Sequence, residues 1–317
     1  MTPEMVGKIK SLPGPVLVLG AGGFVGANLF RALLAVRDDV YGTVTDPDNA
    51  RLADINPERL LVGRFERGYR NPLVAGGCSF KTVFNCIAYG GYSWQKDADL
   101  IRWTNYELTK SIVEDLACSD IVAYVHAGSS SEYGENVSGP REDNHPTPNS
   151  VYAESKAAAT TYLQHKGIGG FPCVTLRLFS VYGAFEDPKR LIPTLVEAGL
   201  RKAYPPLVNA NISRDFVYVD DVVEAFVDAA SGLSTGRLTR GDVFNIGTGI
   251  ATTIGELAAI AKNLFGIPGE PAYTMSARDW DHGGKWYADT AKASSVLGWT
   301  ARTMLVDGLR KTAGLEP

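Results

Sequence analysis

Along the first half of the chain, short apolar runs alternate with segments whose apolar residues recur every three or four positions. PVLVLG (15–20) has the pattern of a buried strand ending in glycine. FVGANLFRALLAV (24–36) has helical periodicity, and DVYGTV (39–44) is a second strand. Two more apolar runs, KTVFNCIA (81–88) and IVAYVHAG (121–128), flank an amphipathic segment from about Leu100 to Leu116. A fifth, PCVTLRLFS (172–180), follows a helix that begins near Tyr152. Near-continuous apolar strands separated by helices predict a parallel sheet covered on both faces.

Past Ser180 the rhythm loosens. GAFEDPKRLIP, YPPLVNANISRD and MSARDWDHGGKW are loop-like, with helices expected at about 191–200, 219–231 and 253–264. Such a pattern suggests a smaller lobe over the carboxyl edge of the sheet, where open α/β folds bind ligands. The division expected is residues 1–180 for one unit and 181–317 mainly for the other, with some elements returning to the first.

Composition narrows the class. With 45% hydrophobic and 21% charged residues and a formal charge of −4, the 317-residue chain reads as globular, not as a nucleic-acid coat. The four cysteines (Cys78, Cys86, Cys118, Cys173) lack CxxC spacing and the four histidines are scattered, so neither disulfide staples nor a metal site is expected. No run approaches the length of a membrane span, and MTPEMVGKIKSLPG lacks the apolar core of a signal peptide. A cytoplasmic protein with no membrane or nucleic-acid partner is the expectation.

GAGGFVG (20–26) places Gly20, Gly23 and Gly26 three apart, after the first strand and opening a helix. Glycines there permit a tight turn, close approach of a pyrophosphate and close helix packing, which predicts a Rossmann-type, doubly wound sheet holding a dinucleotide. Phe24 and Val25 belong to the same loop. The second strand runs into TVTDPDN, where Asp46 is the candidate ligand for an unphosphorylated adenosine ribose. In an alternative register, Val44 or Thr45 takes that place and Asp46 caps the next helix. No arginine stands there for a 2'-phosphate, so NAD is favoured over NADP.

Tyr152 and Lys156 are four apart and share a helix face. An ammonium beside a phenol stabilises the phenolate and makes it a usable acid or base near neutrality. GSSSEYG (128–134) offers Ser129, Ser130 and Ser131 at a strand end to complete a carbonyl-binding pair.

These blocks together resemble an extended short-chain dehydrogenase/reductase of the nucleotide-sugar epimerase and dehydratase family. The likeness runs from VLVLGAGGFVG through SSSEYG, VYAESKAAA, LRLFSVYG, RLIPTLV, RDFVYVDDVVEA and FNIGTG to ADTAKASSVLGW. It implies NAD in the first unit and a nucleoside-diphosphate sugar in the second. It also implies Tyr152 as acid/base, Lys156 as its partner and ribose ligand, and Ser129 on the reacting sugar oxygen. Ala88 and Tyr89 would line the nicotinamide channel, and Asn105 would be a buried asparagine tying neighbouring strands. Ser130, Ser180 and Leu191 would meet the substrate, and Arg214 and Arg278 its diphosphate. Arg177 is expected in a structural ion pair. Asp220 and Asp221 are expected as helix cap and first-turn acid, and Asp289 as a cap. Arg64 stands where relatives place an aspartate for the adenine, and Glu66 is a poor substitute. The helices near 100–116 and 152–166 would form a homodimer interface.

The resemblance leaves three reactions: C4 epimerisation, 4,6-dehydration and 4-keto reduction, beside a non-catalytic NAD-binding role. Dehydratases of the family place an acidic residue directly after the serine or threonine. Here those positions are Ser130 and Ser131, and Glu132 comes one place late. That favours an NAD-dependent 4-epimerase, an isomerase of carbohydrate biosynthesis, unless a turn brings Glu132 back.

Overall fold

The computed structural model describes residues 1–63, 65, 80–135, 138–274 and 285–315. Arg64, Glu66, Cys78 and Arg278 lie outside them.

Seven strands form one sheet: β1 (Val16–Leu19), β2 (Val40–Val44), β3 (Leu60–Val62), β4 (Thr82–Asn85), β5 (Ala123–Ser129), β6 (Cys173–Leu178) and β10 (Asp242–Ile246). Their order is β10-β6-β5-β4-β1-β2-β3, and every neighbouring pair is parallel. β1 and β4 are fully buried along their length, which explains their unbroken apolar runs. The strand order reverses direction between β1 and β4, which opens a crevice at their carboxyl ends. This is a Rossmann-type doubly wound sheet.

Helices cover both faces. On one side lie α2 (Phe24–Leu34) and α7 (Val219–Ser234); Phe30 and Phe226 share a cluster with Val16, Val18 and Val125. α1 (Pro3–Ser11), which the periodicity did not suggest, docks Met5 and Ile9 on the same cluster, and Lys8 pairs with Asp228 of α7. On the other side, α3 (Ala98–Arg102) and α4 (Leu108–Leu116) flank a π-helical turn, Trp103–Glu107, and α5 (Val151–Ile168) lies beside them. Ile112, Val113, Leu116 and Leu163 fill that face with Tyr124 and Phe171.

Among the remaining described residues are two small sheets and three α-helices. β7 (Ser180–Tyr182) pairs with β9 (Phe216–Tyr218), and β8 (Ser213–Arg214) pairs antiparallel with β11 (Thr252–Thr253). α6 (Leu191–Leu200), α8 (Ile254–Phe265) and α9 (Leu305–Thr312) enclose a separate apolar cluster around Leu195, Leu257 and Phe265. Two elements of the second half, β10 and α7, thus belong to the main sheet and its cover.

Asp220 is not the helix cap expected of it, whereas Asp221 is the first-turn acid expected. Both acids lie in the first turn of α7, whose N-cap is Tyr218. The Asp221 carboxylate accepts from the backbone of Arg302 and Thr303, so it fastens the C-terminal segment. Asp289 accepts from Ala291 N–H, in keeping with a cap.

Candidate active site

The glycine loop follows β1 at the crevice. Gly20 has φ +77, and a Cβ on Gly26 would stand 2.2 Å from the Gly20 carbonyl oxygen, so the turn tolerates no side chain there. Thr43 of β2 receives the Gly20 N–H on its hydroxyl and the Ala21 N–H on its carbonyl. Gly23 is the N-cap of α2 and offers no side-chain cap. The first N–H groups of an eleven-residue helix therefore point out of a bare backbone cradle, an arrangement suited to a pyrophosphate. Phe24 and Val25, in the first turn, are half-buried.

Asp46 lies two residues past β2, exposed, and accepts the Asp48 N–H in a short turn. Asn49, which belongs to no motif in the sequence, donates its side-chain amide to the Gly22 carbonyl and so ties this segment to the glycine loop. Two carboxylates and no cation among residues 45–50 suit a ribose diol and repel a 2'-phosphate. The segment after β7 also reaches the loop region: Asn28 donates to Ala184 O at 2.8 Å, and Arg51 to Phe185 O at 2.8 Å.

Across the crevice, β4 leads to exposed Ala88 and half-buried Tyr89. Asn105, in the π-helical turn, accepts the Tyr89 N–H at 3.0 Å and donates to the Tyr89 carbonyl at 2.8 Å. It also donates to Ser155 of α5 at 2.9 Å. The asparagine thus clamps the strand end to the helix bearing Tyr152 and Lys156. A π-turn is the local irregularity that lets a side chain leave helical register to do this. Gly90 (φ +97) brings its backbone so close that a Cβ would lie 3.2 Å from the Tyr152 ring.

Ser129, Tyr152 and Lys156 meet at the end of β5. The Ser129 hydroxyl lies close enough to the Tyr152 phenol to favour its anion. Lys156, 1% exposed, donates its ammonium to the Ala127 carbonyl at 2.8 Å. Burial holds the Tyr152 phenol above its ordinary pKa, opposed by the Ser129 hydroxyl and weakly by Arg190. Burial also pushes Lys156 down, to about 8. The expected ammonium-driven lowering of the phenol is therefore not a feature of the protein alone, because the ammonium turns toward Ala127. Arg190 also donates to Gly91 O at 3.4 Å, next to the glycine against Tyr152, and Tyr92 lies beside it. Neither Arg190 nor Tyr92 stands out in the sequence.

After Ser129 the chain turns in a single 3₁₀ turn, Ser130–Tyr133, closed by a capping box. Glu132 accepts the Ser129 N–H on one oxygen and pairs with Arg177 of β6 through the other, each at 2.8 Å. Arg177 donates further to the Tyr133 hydroxyl, which donates to Asn245 of β10. The Glu132–Arg177 pair is completely enclosed. The turn thus ties Glu132 to the Ser129 backbone and to Arg177, and Arg177 forms the structural pair expected of it.

On the lobe side, Ser180 opens β7 and is half-buried, and Leu191 opens α6. Arg214 ends β8, its guanidinium donating to Ser213 O and lying 5.0 Å from the centroid of Trp286. The next residue, Asp215, is buried and accepts four hydrogen bonds, from Thr248 N–H and hydroxyl, Gly249 N–H and Ala288 N–H. Those bonds hold the strand that carries Arg214. Ser130 accepts from the indole of Trp286 at 3.3 Å. Trp286 escapes a sequence reading because a lone aromatic in an irregular stretch carries no periodic signal. Among the described residues no acid, histidine or cysteine cluster suits a metal, and no helix is long and apolar enough to cross a membrane.

Residues 16–247 match the NAD dependent epimerase/dehydratase family. Relatives include a putative UDP-glucose 4-epimerase of Methanocaldococcus jannaschii, 29% identical over 93% of this chain and 96% of its own. A UDP-glucose 4-epimerase of Mycolicibacterium smegmatis is 28% identical over the same shares. Among solved structures, MoeE5 in complex with UDP-glucose and NAD is similar with a TM-score of 0.80 and 30% identity, over 95% of this chain and 98% of that one. UDP-glucuronic acid 4-epimerase from Bacillus cereus, in complex with UDP-glucuronic acid and NAD, has a TM-score of 0.78 and 26% identity, over 94% and 98%.

Proposed function

The chain belongs to the NAD dependent epimerase/dehydratase family, and from that premise we propose that it is an NAD-dependent nucleoside-diphosphate-sugar 4-epimerase. The observation that carries this reading is the fate of Glu132. With both carboxylate oxygens taken by Arg177 and the Ser129 N–H, the turn offers the sugar only hydroxyls. Removing the C5 proton and expelling the C6 hydroxyl, as a dehydratase must, needs an acid or base that this turn does not present. The UDP-sugars bound by MoeE5 and the Bacillus enzyme, and the names of the archaeal and mycobacterial relatives, support the same class.

The work is divided among the residues. Gly20, Gly23, Phe24, Val25 and Gly26 cradle the cofactor pyrophosphate, Asp46 faces the adenosine ribose, and Ala88 and Tyr89 line the nicotinamide side. When bound, NAD would supply a hydride acceptor and a positive charge that favours the phenolate. Tyr152 takes the proton of the C4 hydroxyl and later returns it, and Ser129 holds the C4 oxygen throughout. Lys156 holds the nicotinamide ribose, and a charge at that position favours the phenolate. Ser130, Ser180, Leu191, Arg214 and Arg278 hold the sugar and the diphosphate. The lobe would let the keto sugar turn over, so that its other face is presented to the cofactor that supplies the hydride.

Residues 1–180 thus serve the cofactor and 181–317 mainly the sugar nucleotide. A homodimer forms through α3–α4 and α5, and light scattering of the purified protein checks its mass. Cys86, Cys118 and Cys173, all free thiols, fit a reducing cytoplasmic setting.

The test incubates purified protein with UDP-, TDP-, GDP- and CDP-hexoses and hexuronates, without added cofactor, and tracks the products by NMR. Inversion at C4 is expected. A 4-keto-6-deoxy product would make it a dehydratase, and activity only with added NADPH would make it a ketoreductase. Tyr152→Phe is expected to lose roughly a hundred- to ten-thousandfold in kcat while co-purifying with the same amount of NAD.

A further inference from the structure

Trp286 touches both ends of the substrate site. Its backbone N–H donates to Ser213 Oγ at 2.9 Å, and the next residue, Arg214, lays its guanidinium over the indole at 5.0 Å. The indole edge donates Nε1–H to Ser130 Oγ at 3.3 Å. Tyr133, Phe179 and Ala288 pack against this side chain, so it has little freedom to swing. One rigid group therefore joins the neighbour of Ser129 to Arg214.

The chemistry of the indole gives that link a direction. An indole N–H donates and does not accept. Ser130 Oγ spends a lone pair on it, which leaves the Ser130 hydroxyl hydrogen to be donated elsewhere. Among the described residues no protein acceptor for that hydrogen is found, although Ser130 is only 6% exposed. A buried hydroxyl left without an acceptor is costly, whereas a ligand oxygen would satisfy it.

We propose that Trp286 is a positioning residue that fixes Ser130 as a hydrogen-bond donor toward an oxygen of the sugar and holds the Arg214 guanidinium in place for the diphosphate. The proposal rests on the 4-epimerase reading for its kinetic arm, and its binding arm does not need it. Two variants separate the two contacts. Trp286→Phe keeps a ring under Arg214 and removes the N–H, whereas Trp286→Leu removes both.

UDP binding, measured by calorimetry on the NAD-loaded protein, reports on the Arg214 contact of Trp286 and not on its Ser130 contact. It is expected to weaken roughly tenfold in Trp286→Leu and to stay within about twofold in Trp286→Phe. With a substrate found by the NMR panel, Trp286→Phe is expected to lose roughly tenfold in kcat with little change in KM. In a Ser130→Ala background the same change should have no further effect, because the two residues act through one hydrogen bond. A merely structural tryptophan would lower kcat equally in both backgrounds. That additivity, or wild-type turnover by Trp286→Phe, would overturn the Ser130 link, and unchanged UDP affinity in Trp286→Leu would overturn the Arg214 link. Should Trp286→Leu fail to fold, the Phe variant and the Ser130 cycle decide. Absence of C4 inversion in the wild-type protein counts against the epimerase reading alone, since UDP calorimetry still reads the Arg214 link.

Discussion

At the scale of single residues, burial competes with proximity for control of the catalytic pair. Tyr152 and Lys156 share a helix face, yet the phenol is held up by desolvation and the ammonium is held down by it. A buried cation must find an acceptor, and Lys156 takes the Ala127 carbonyl. The lysine is therefore a stability cost carried for function. Its folded pKa of about 8 lies below its ordinary value of 10.5, so between those values the unfolded chain binds more protons. The penalty is full below pH 8 and fades as pH rises toward 10.5. Lys156→Met is accordingly expected to raise stability near neutral pH, by up to about 3 kcal/mol, and the gain should shrink as pH approaches about 10. Urea unfolding of cofactor-stripped protein across that range measures it, and turnover should fall in the same variant.

At the scale of elements, the turn after β5 decides the chemistry. Counting along an extended strand puts Glu132 one place from a useful direction, but the strand ends at Ser129 and a 3₁₀ turn takes over. The capping box draws the carboxylate back to the Ser129 N–H, and β6 brings Arg177 to meet it. Removing one partner of an enclosed pair strands the other charge. Glu132→Gln is expected to destabilise the protein by about 3–5 kcal/mol, read by chemical denaturation. It should also reduce turnover, because a glutamine has one acceptor oxygen for two donors, Ser129 N–H and Arg177 Nε–H. A variant as stable as the parent would remove the structural role assigned here. The π-turn around Asn105 is the companion device on the other flank, holding Tyr89 and Ser155 to one another.

At the scale of the whole molecule, the reversal of strand order between β1 and β4 opens the crevice, and the second half of the chain closes over it. The lobe is not independent of the sheet. β10 pairs with β6, and Asn245 on β10 joins the network of Tyr133, Arg177 and Glu132. Asp215 then holds the neighbouring strand against Thr248, Gly249 and Ala288, so that Arg214 is presented from a fixed backbone. Arg214→Ala is expected to weaken UDP binding by roughly ten- to a hundredfold, with NAD content unchanged. Calorimetry checks the first, and the nucleotide released on denaturation checks the second. Loss of NAD together with UDP would mean that the two halves do not divide the ligands in this way.

Local order in the chain was enough for five of the seven parallel strands, the main helices, the glycine loop and the placing of Tyr152 and Lys156 on one helix. Each depends on residues within one strand, one turn or one helix, where period and spacing determine geometry directly. α1 escaped because its buried positions, Met5 and Ile9, are too few to make a pattern without α7 beneath them. Only the tertiary structure decided what Glu132 does, where the Lys156 ammonium points and how Asn49 reaches the glycine loop. It alone joined Trp286 to Ser130 across 156 positions of chain. Those outcomes depend on partners distant in sequence and on burial, which changes the cost of every charge and hydrogen bond it encloses.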